Sequence, residues 1–180
     1  MRAGDQINEP SQGAKANKSG KILENIVRTA LEPRGFTEVP YRVWERFPKV
    51  MRYKKYFINF LRYEFVYAVA TPTEEQNRSS RCEFIISNPQ TKTFCRIECK
   101  WQAVSGSVAE KMPYRYLNAV ERWFEEEIII LIDGKGWKRG ALFWLREAVN
   151  SRRWRTSTDR RAIMMMSIAE FTSWCQKRFP

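Results

Sequence analysis

A chain of 180 residues with 43% apolar and 14% aromatic residues is long enough to bury one core and too apolar to be largely disordered. Its 32 Lys and Arg against 20 Asp and Glu leave a net charge of +12, so a polyanion is the natural partner, nucleic acid first and an anionic membrane surface second. Histidine is absent, which excludes Cys/His zinc sites, Ser–His–Asp sets and every hydrolytic site with a histidine general base, leaving carboxylates, lysine, tyrosine or a metal to do any such chemistry.

Residues 1–18 are polar and aperiodic and read as a flexible arm, with one domain over 19–180. Ser19 then offers an N-cap, and Ile22, Leu23, Ile26, Val27, Ala30 and Leu31 recur at helical spacing before a Pro-Arg-Gly stop. Glu24 falls on the border of that apolar stripe, a position from which it can look into a site. The aromatic-rich stretch from Tyr53 to Tyr67 reads mostly as core, with a strand over 62–69, and the polar run 71–80 as a loop. A hairpin follows in 81–102, then a helix with Pro113 in its first turn and Tyr116, Leu117, Val120, Trp123 and Phe124 along it.

The run EIIILIDG reads as a buried central strand, DGKGWKRG as a strand-to-helix turn, and IMMM as part of a last strand over 161–167 before a closing helix. Asp133 fits a turn-initiating residue better than a ligand. Strands alternating with helices place the chain in the α/β class, a single domain with a central mixed sheet flanked by helices. Cys82, Cys95, Cys99 and Cys175 fit no metal spacing and read as buried thiols. No apolar run approaches the roughly 20 residues of a membrane span, and the N-terminus lacks a signal-peptide core, so a cytoplasmic protein with no membrane partner is expected.

The hairpin carries the chemistry. Side chains alternate across a strand, so Cys82, Phe84 and Ile86 share one face with Cys95, Ile97, Cys99 and Trp101, while Glu83, Ile85 and Ser87 lie with Arg96, Glu98, Lys100 and Gln102 on the other. A turn centred between Gln90 and Thr91 sets Glu83 across from Glu98. Directly opposed like charges destabilise a sheet by about 0.2–1 kcal/mol, and a hard divalent cation held by the two carboxylates offsets that. Lys100, two residues past Glu98, would lie beside an attacked phosphate and orient the nucleophile. Glu-x-Lys is also a common surface pair; its place at the end of an apolar strand, opposite a second acid in a basic chain, favours the chemical reading.

The order of these residues, a helix with Glu24, then CEFII with Glu83, then IECKWQ with Glu98, Lys100 and Gln102, resembles the PD-(D/E)XK nuclease superfamily over roughly residues 19–178. The resemblance implies a restriction-endonuclease-like αβββαβ core and a Mg²⁺-dependent endonuclease that cleaves DNA, with Mn²⁺ as a substitute metal. It maps that family's acids onto Glu83 and Glu98 as metal ligands, its lysine onto Lys100, and supporting residues onto Glu24 and Gln102. Cys82-Glu83 stands where the family usually has Pro-Asp. Many members act as dimers to cut both strands, which makes a homodimer one candidate state, although no dimer surface is legible in the sequence.

Two basic segments are candidates for nucleic-acid contact: Lys135, Lys138 and Arg139 at a helix N-terminus, and Arg152, Arg153 and Arg155, with Arg160 and Arg161 nearby, around Trp154. A plain solvated surface explains either almost as well. Two rival readings stay open at this level: a catalytically inactive nucleic-acid-binding protein of the same fold, and a basic interaction subunit of a larger assembly.

Overall fold

The computed structural model describes residues 12–44, 46–47, 56–59, 63–67, 77–81 and 83–180. Helix α1 (Gln12–Leu31) starts a full two turns earlier than its apolar periodicity suggests. Residues 12–18 therefore continue the helix rather than forming an arm, because Gln, Ala and Lys favour helix without any apolar stripe to mark it; the rest of the expected arm lies outside the described residues. The helix stops where expected, at a short 3₁₀ turn over Glu32–Arg34 closed by Gly35 in the left-handed region at φ 77°.

Strand β1 (Thr37–Pro40), helix α2 (Tyr41–Trp44) and strand β2 (Tyr56–Asn59) follow. Strand β3 (Tyr63–Tyr67) forms within the expected 62–69, but it pairs with β4 (Asn77–Arg81) in a separate two-stranded sheet. The end of the supposed loop is thus a strand, one that Asn, Arg and Ser gave no apolar alternation to reveal. Side chains of the Tyr53 to Tyr67 stretch, and Cys82, lie outside the described set.

Strands β5 (Phe84–Asn88) and β6 (Thr93–Trp101) make the hairpin, and Phe84↔Ile97, Ile86↔Cys95 and Asn88↔Thr93 are partners. One further step along this antiparallel ladder sets Glu83 opposite Glu98, the register read from the sequence. After β6 the chain passes into α3 (Met112–Glu121), β7 (Glu127–Asp133), α4 (Arg139–Asn150), the edge strand β8 (Ala162–Met166) and α5 (Ile168–Arg178), the last opened by a Ser167/Glu170 capping box. Among the described residues the main sheet has six strands in the order β1-β2-β5-β6-β7-β8, antiparallel at β2-β5-β6 and parallel at β6-β7-β8. Helix α1 with β2, β5, β6, α3 and β7 reproduces the αβββαβ order.

Alternation along β7 divides the core in two. Ile129 and Leu131 join Leu23, Val27, Phe171 and Cys175 beneath α1 and α5. Ile128, Ile130 and Ile132 pack on the other face with Tyr116, Leu145 and Ala148 of α3 and α4. Each fully buried Leu, Ile, Val or Phe among them contributes about 1.5–3 kcal/mol of transfer free energy. The apolar face of the hairpin is buried as expected, with Cys95, Cys99 and Cys175 as free thiols inside it. The charged face, however, is no open surface. It lies under α3, and Arg96 there is 1% exposed, bound to Glu125 through two hydrogen bonds of 2.9 and 2.8 Å and set 4.6 Å from the Trp123 ring.

A buried ion pair stands only while both partners are present. Glu125→Ala is therefore expected to lower the unfolding free energy by about 3–5 kcal/mol in denaturant melts, while the joint replacement Arg96→Met with Glu125→Leu costs far less. A single variant as stable as wild type would contradict this burial.

Candidate active site

Three elements converge on one end of the hairpin. Glu83 immediately precedes β5, Glu98 and Lys100 project two residues apart from the same face of β6, and α3 lies over that face. The Lys100 ammonium sits between the two acids, with Nζ 2.7 Å from Glu98 Oε1 and 3.0 Å from Glu83 Oε1, and it also donates to the Cys99 carbonyl at 2.9 Å. Glu98 is 1% exposed. Its Oε1 takes a second cation, since Arg115 of α3 donates to it at 2.9 Å.

Those contacts use one oxygen of each carboxylate. Oε2 of Glu83 and Oε2 of Glu98 are both buried without a donor. Burial, and next the negative Glu98 beside it, push Glu83 up to about 8 against the opposing pull of Lys100. Burial acts on Glu98 in the same sense, but Lys100, a hydrogen bond with Glu83 and the charge of Arg115 outweigh it and hold Glu98 below the usual carboxylate range. The two acids are thus held apart in proton affinity, Glu83 above the ordinary carboxylate value and Glu98 below it. For Lys100, burial favours the neutral amine, yet the two glutamates more than compensate and its ammonium is held above the ordinary lysine value.

Two buried carboxylate oxygens without donors, on acids bridged by one ammonium, suit a hard divalent cation, which takes oxygen ligands. Among the described residues no three Cys, Asp or Glu side chains cluster as metal ligands, so the candidate centre rests on the two glutamates alone. Gln102 is buried just beyond Lys100; its Nε2 donates to the Val104 carbonyl at 3.0 Å and its Oε1 has no partner. The segment is pressed against the β7–α4 turn, where the Gly136 N–H donates to the Gln102 carbonyl at 2.9 Å. At Gly134, with φ 110°, a Cβ would lie 2.2 Å from that same carbonyl oxygen, which explains the glycines of DGKG without a phosphate loop.

Among the described residues, Glu24 makes no hydrogen bond or ion pair with Glu83, Glu98 or Lys100. It is half-buried on α1 and faces Arg28 at 3.8 Å, although its charge still bears on the Cys99 thiol. Asp133 behaves as the turn residue expected, accepting from the Gly134 N–H at 2.6 Å and the Ile168 N–H at 3.3 Å. Lys135, Lys138 and Arg139 are exposed at the sheet end that carries Lys100, and Lys138 has a loose surface contact with Glu110 at 3.7 Å. Arg152 and Arg153 are exposed past the far end of α4. Twelve residues of helix, about 18 Å, separate the two basic groups. Arg155 corrects the sequence reading: its side chain is 3% exposed and bound to Asp159 at 3.0 Å and to the Arg161 carbonyl, so its charge is spent inside the loop. Arg161 is likewise committed, to Asp159 and to the last carbonyls of α3. Arg115 is the site residue that sequence reasoning missed, because only the docking of α3 on the hairpin brings it to Glu98.

The raised Glu83 value has a stability consequence with a definite sign. A carboxyl whose folded value lies above its unfolded one contributes stability fully below the unfolded value and loses it as pH rises through the folded value. Metal-free wild type is expected to lose stability between roughly pH 4.5 and about 8, and Glu83→Gln to flatten that part of the profile in thermal melts. A profile unchanged by the substitution would mean that Glu83 ionises freely.

Among the described residues no helix is long and apolar enough to cross a membrane. No curated protein and no solved structure gives a significant match to the chain. A family model described as a PD-(D/E)XK nuclease superfamily domain does match, over residues 15–179. The match spans nearly the whole chain, including the αβββαβ elements and the Glu83, Glu98 and Lys100 positions, and the chain belongs to the PD-(D/E)XK nuclease superfamily.

Proposed function

We propose that this protein is a Mg²⁺-dependent endonuclease that hydrolyses phosphodiester bonds in DNA. The observation that carries the reading is the Lys100 ammonium held between the buried Glu98 and the half-buried Glu83, each of which keeps a second, partnerless carboxylate oxygen. Glu83 and Glu98 are the residues that would hold the cation, with Mn²⁺ as a substitute. Bound there, a divalent ion supplies charge neutralisation at the scissile phosphate and acidifies a water.

The chain's own groups do the rest. Arg115 keeps Glu98 ionised and fixed in orientation. Lys100, freed from Glu83, orients the attacking water and meets charge developing on the phosphate. Gln102, buried behind Lys100 with an open oxygen, and Glu24, at the edge of α1, support the site. Lys135, Lys138 and Arg139 at the same sheet end, with Arg152 and Arg153 further off, would contact phosphates and set register without reading sequence. Each neutralised phosphate contributes about −0.9 to the slope of log affinity against log salt for duplex DNA.

Binding and chemistry divide cleanly in this arrangement. Lys100→Ala is expected to reduce plasmid cleavage in Mg²⁺ by about 10²–10³-fold or more while DNA affinity, measured by band shift in EDTA, changes only a few-fold. Glu98→Gln should lose cleavage together with metal affinity, and Glu83→Asp should keep partial activity. If Lys100→Ala cuts at the wild-type rate, the cluster is structural. Wild type that binds DNA but cuts nothing in any divalent metal would instead mark an inactive binding protein of the same fold.

A further inference from the structure

The loop after α4 is built around an exposed tryptophan. Helix α4 closes with the Arg153 N–H on the Ala148 carbonyl at 2.9 Å and the Arg152 N–H on the Val149 carbonyl at 3.2 Å, a Schellman closure in which Arg152 occupies the left-handed position that usually falls to glycine. Arg152 has φ 52° and Trp154 φ 61°, so two of three successive residues hold a backbone conformation unfavourable to L side chains. The rest of the loop enforces it. Asp159 binds Arg155 and Arg161, and Arg152 donates to the Asp159 carbonyl.

On this frame the Trp154 ring lies 5.8 Å from Trp144 of α4 and 6.1 Å from Tyr116 of α3, and the Arg153 guanidinium covers Trp144 at 5.6 Å. The indole is nevertheless 53% exposed. A rigid, aromatic-backed indole with the exposed guanidinium groups of Arg152 and Arg153 beside it has the composition of a surface on which bases stack while their backbone is held electrostatically. Bases inside a duplex have both faces covered by their neighbours, so such a surface is open only to unpaired ones. Tyr116, the floor of the platform, follows Arg115, the residue bound to Glu98, so α3 carries both that floor and a wall of the candidate active site.

We propose that Trp154 stacks an unpaired nucleobase, with Arg152 and Arg153 on the adjoining phosphates, so that the substrate includes a single-stranded segment. This rests on the reading that the chain acts on nucleic acid, and it names the strand form that this surface takes. The competing account makes Trp154 only a cover for Trp144 and Tyr116; leucine would cover them equally well but presents no π-face.

The full chain in EDTA is titrated, by fluorescence anisotropy, into an oligothymidylate of about 16 nucleotides and into a hairpin duplex of similar length. Trp154→Leu is expected to weaken oligothymidylate binding about tenfold while duplex binding stays within about twofold, and Trp154→Phe to remain near wild type. On wild type, a 5-iodouracil-substituted strand should crosslink at Trp154, a result that holds even if a variant misfolds. Unchanged single-strand affinity in Trp154→Leu, equal losses on both ligands, a wild type that ignores the single strand, or crosslinks only elsewhere would each overturn the proposal. The assay contains no metal and reads no cleavage, so its failure leaves the Lys100 result untouched.

Discussion

An ammonium wedged between two carboxylates that the sheet forces together is the interaction on which the rest of this structure turns. The β5–β6 register leaves Glu83 no choice but to face Glu98, and like charges that close in a buried setting cannot both stay ionised without a counter-charge. Lys100 supplies it to both acids from two residues past Glu98 on the same strand, and Arg115 adds to it at Glu98. That arrangement is poised rather than settled. One lysine serves two acids, and one oxygen of each carboxylate lacks a donor.

The surrounding fold holds this cluster in place and covers Glu98 completely. Helix α3 roofs the charged face of β6, placing Arg115 on Glu98 at one level while the Arg96–Glu125 pair under Trp123 holds the same face further down. Beneath and beside them β7 is apolar on both faces, so the hairpin is anchored to a strand buried between two helical layers. The β7–α4 turn then presses its glycines onto Gln102 and fixes the chain just past Lys100. Burial that would otherwise be a cost to the acids becomes the source of their shifted proton affinity.

Much of this was legible before any coordinates, because a strand's alternation is a rigid rule. Given a turn between Gln90 and Thr91, one parity of residues had to be apolar and the other had to contain Glu83, Glu98 and Lys100, and EIIILID could be central only if both faces were covered. What escaped detection depends on three-dimensional docking or on backbone pairing alone. Arg115 has no linear relation to Glu98, and β4 pairs through polar residues that carry no period. Arg155 looked like its exposed neighbours until the position of Asp159 turned it inward. The early start of α1 reflects propensity without amphipathicity, a signal that hydrophobic spacing does not record.

The central claim is that Glu83 and Glu98 form one cation site whose place the Lys100 ammonium holds in the metal-free protein. Crystals grown with Mn²⁺ test it most directly through anomalous scattering at the manganese edge. The account expects a peak coordinated by oxygens of both Glu83 and Glu98, with the Lys100 ammonium drawn off Glu83. A peak bound elsewhere, or none while Lys100 still bridges both carboxylates, would contradict it.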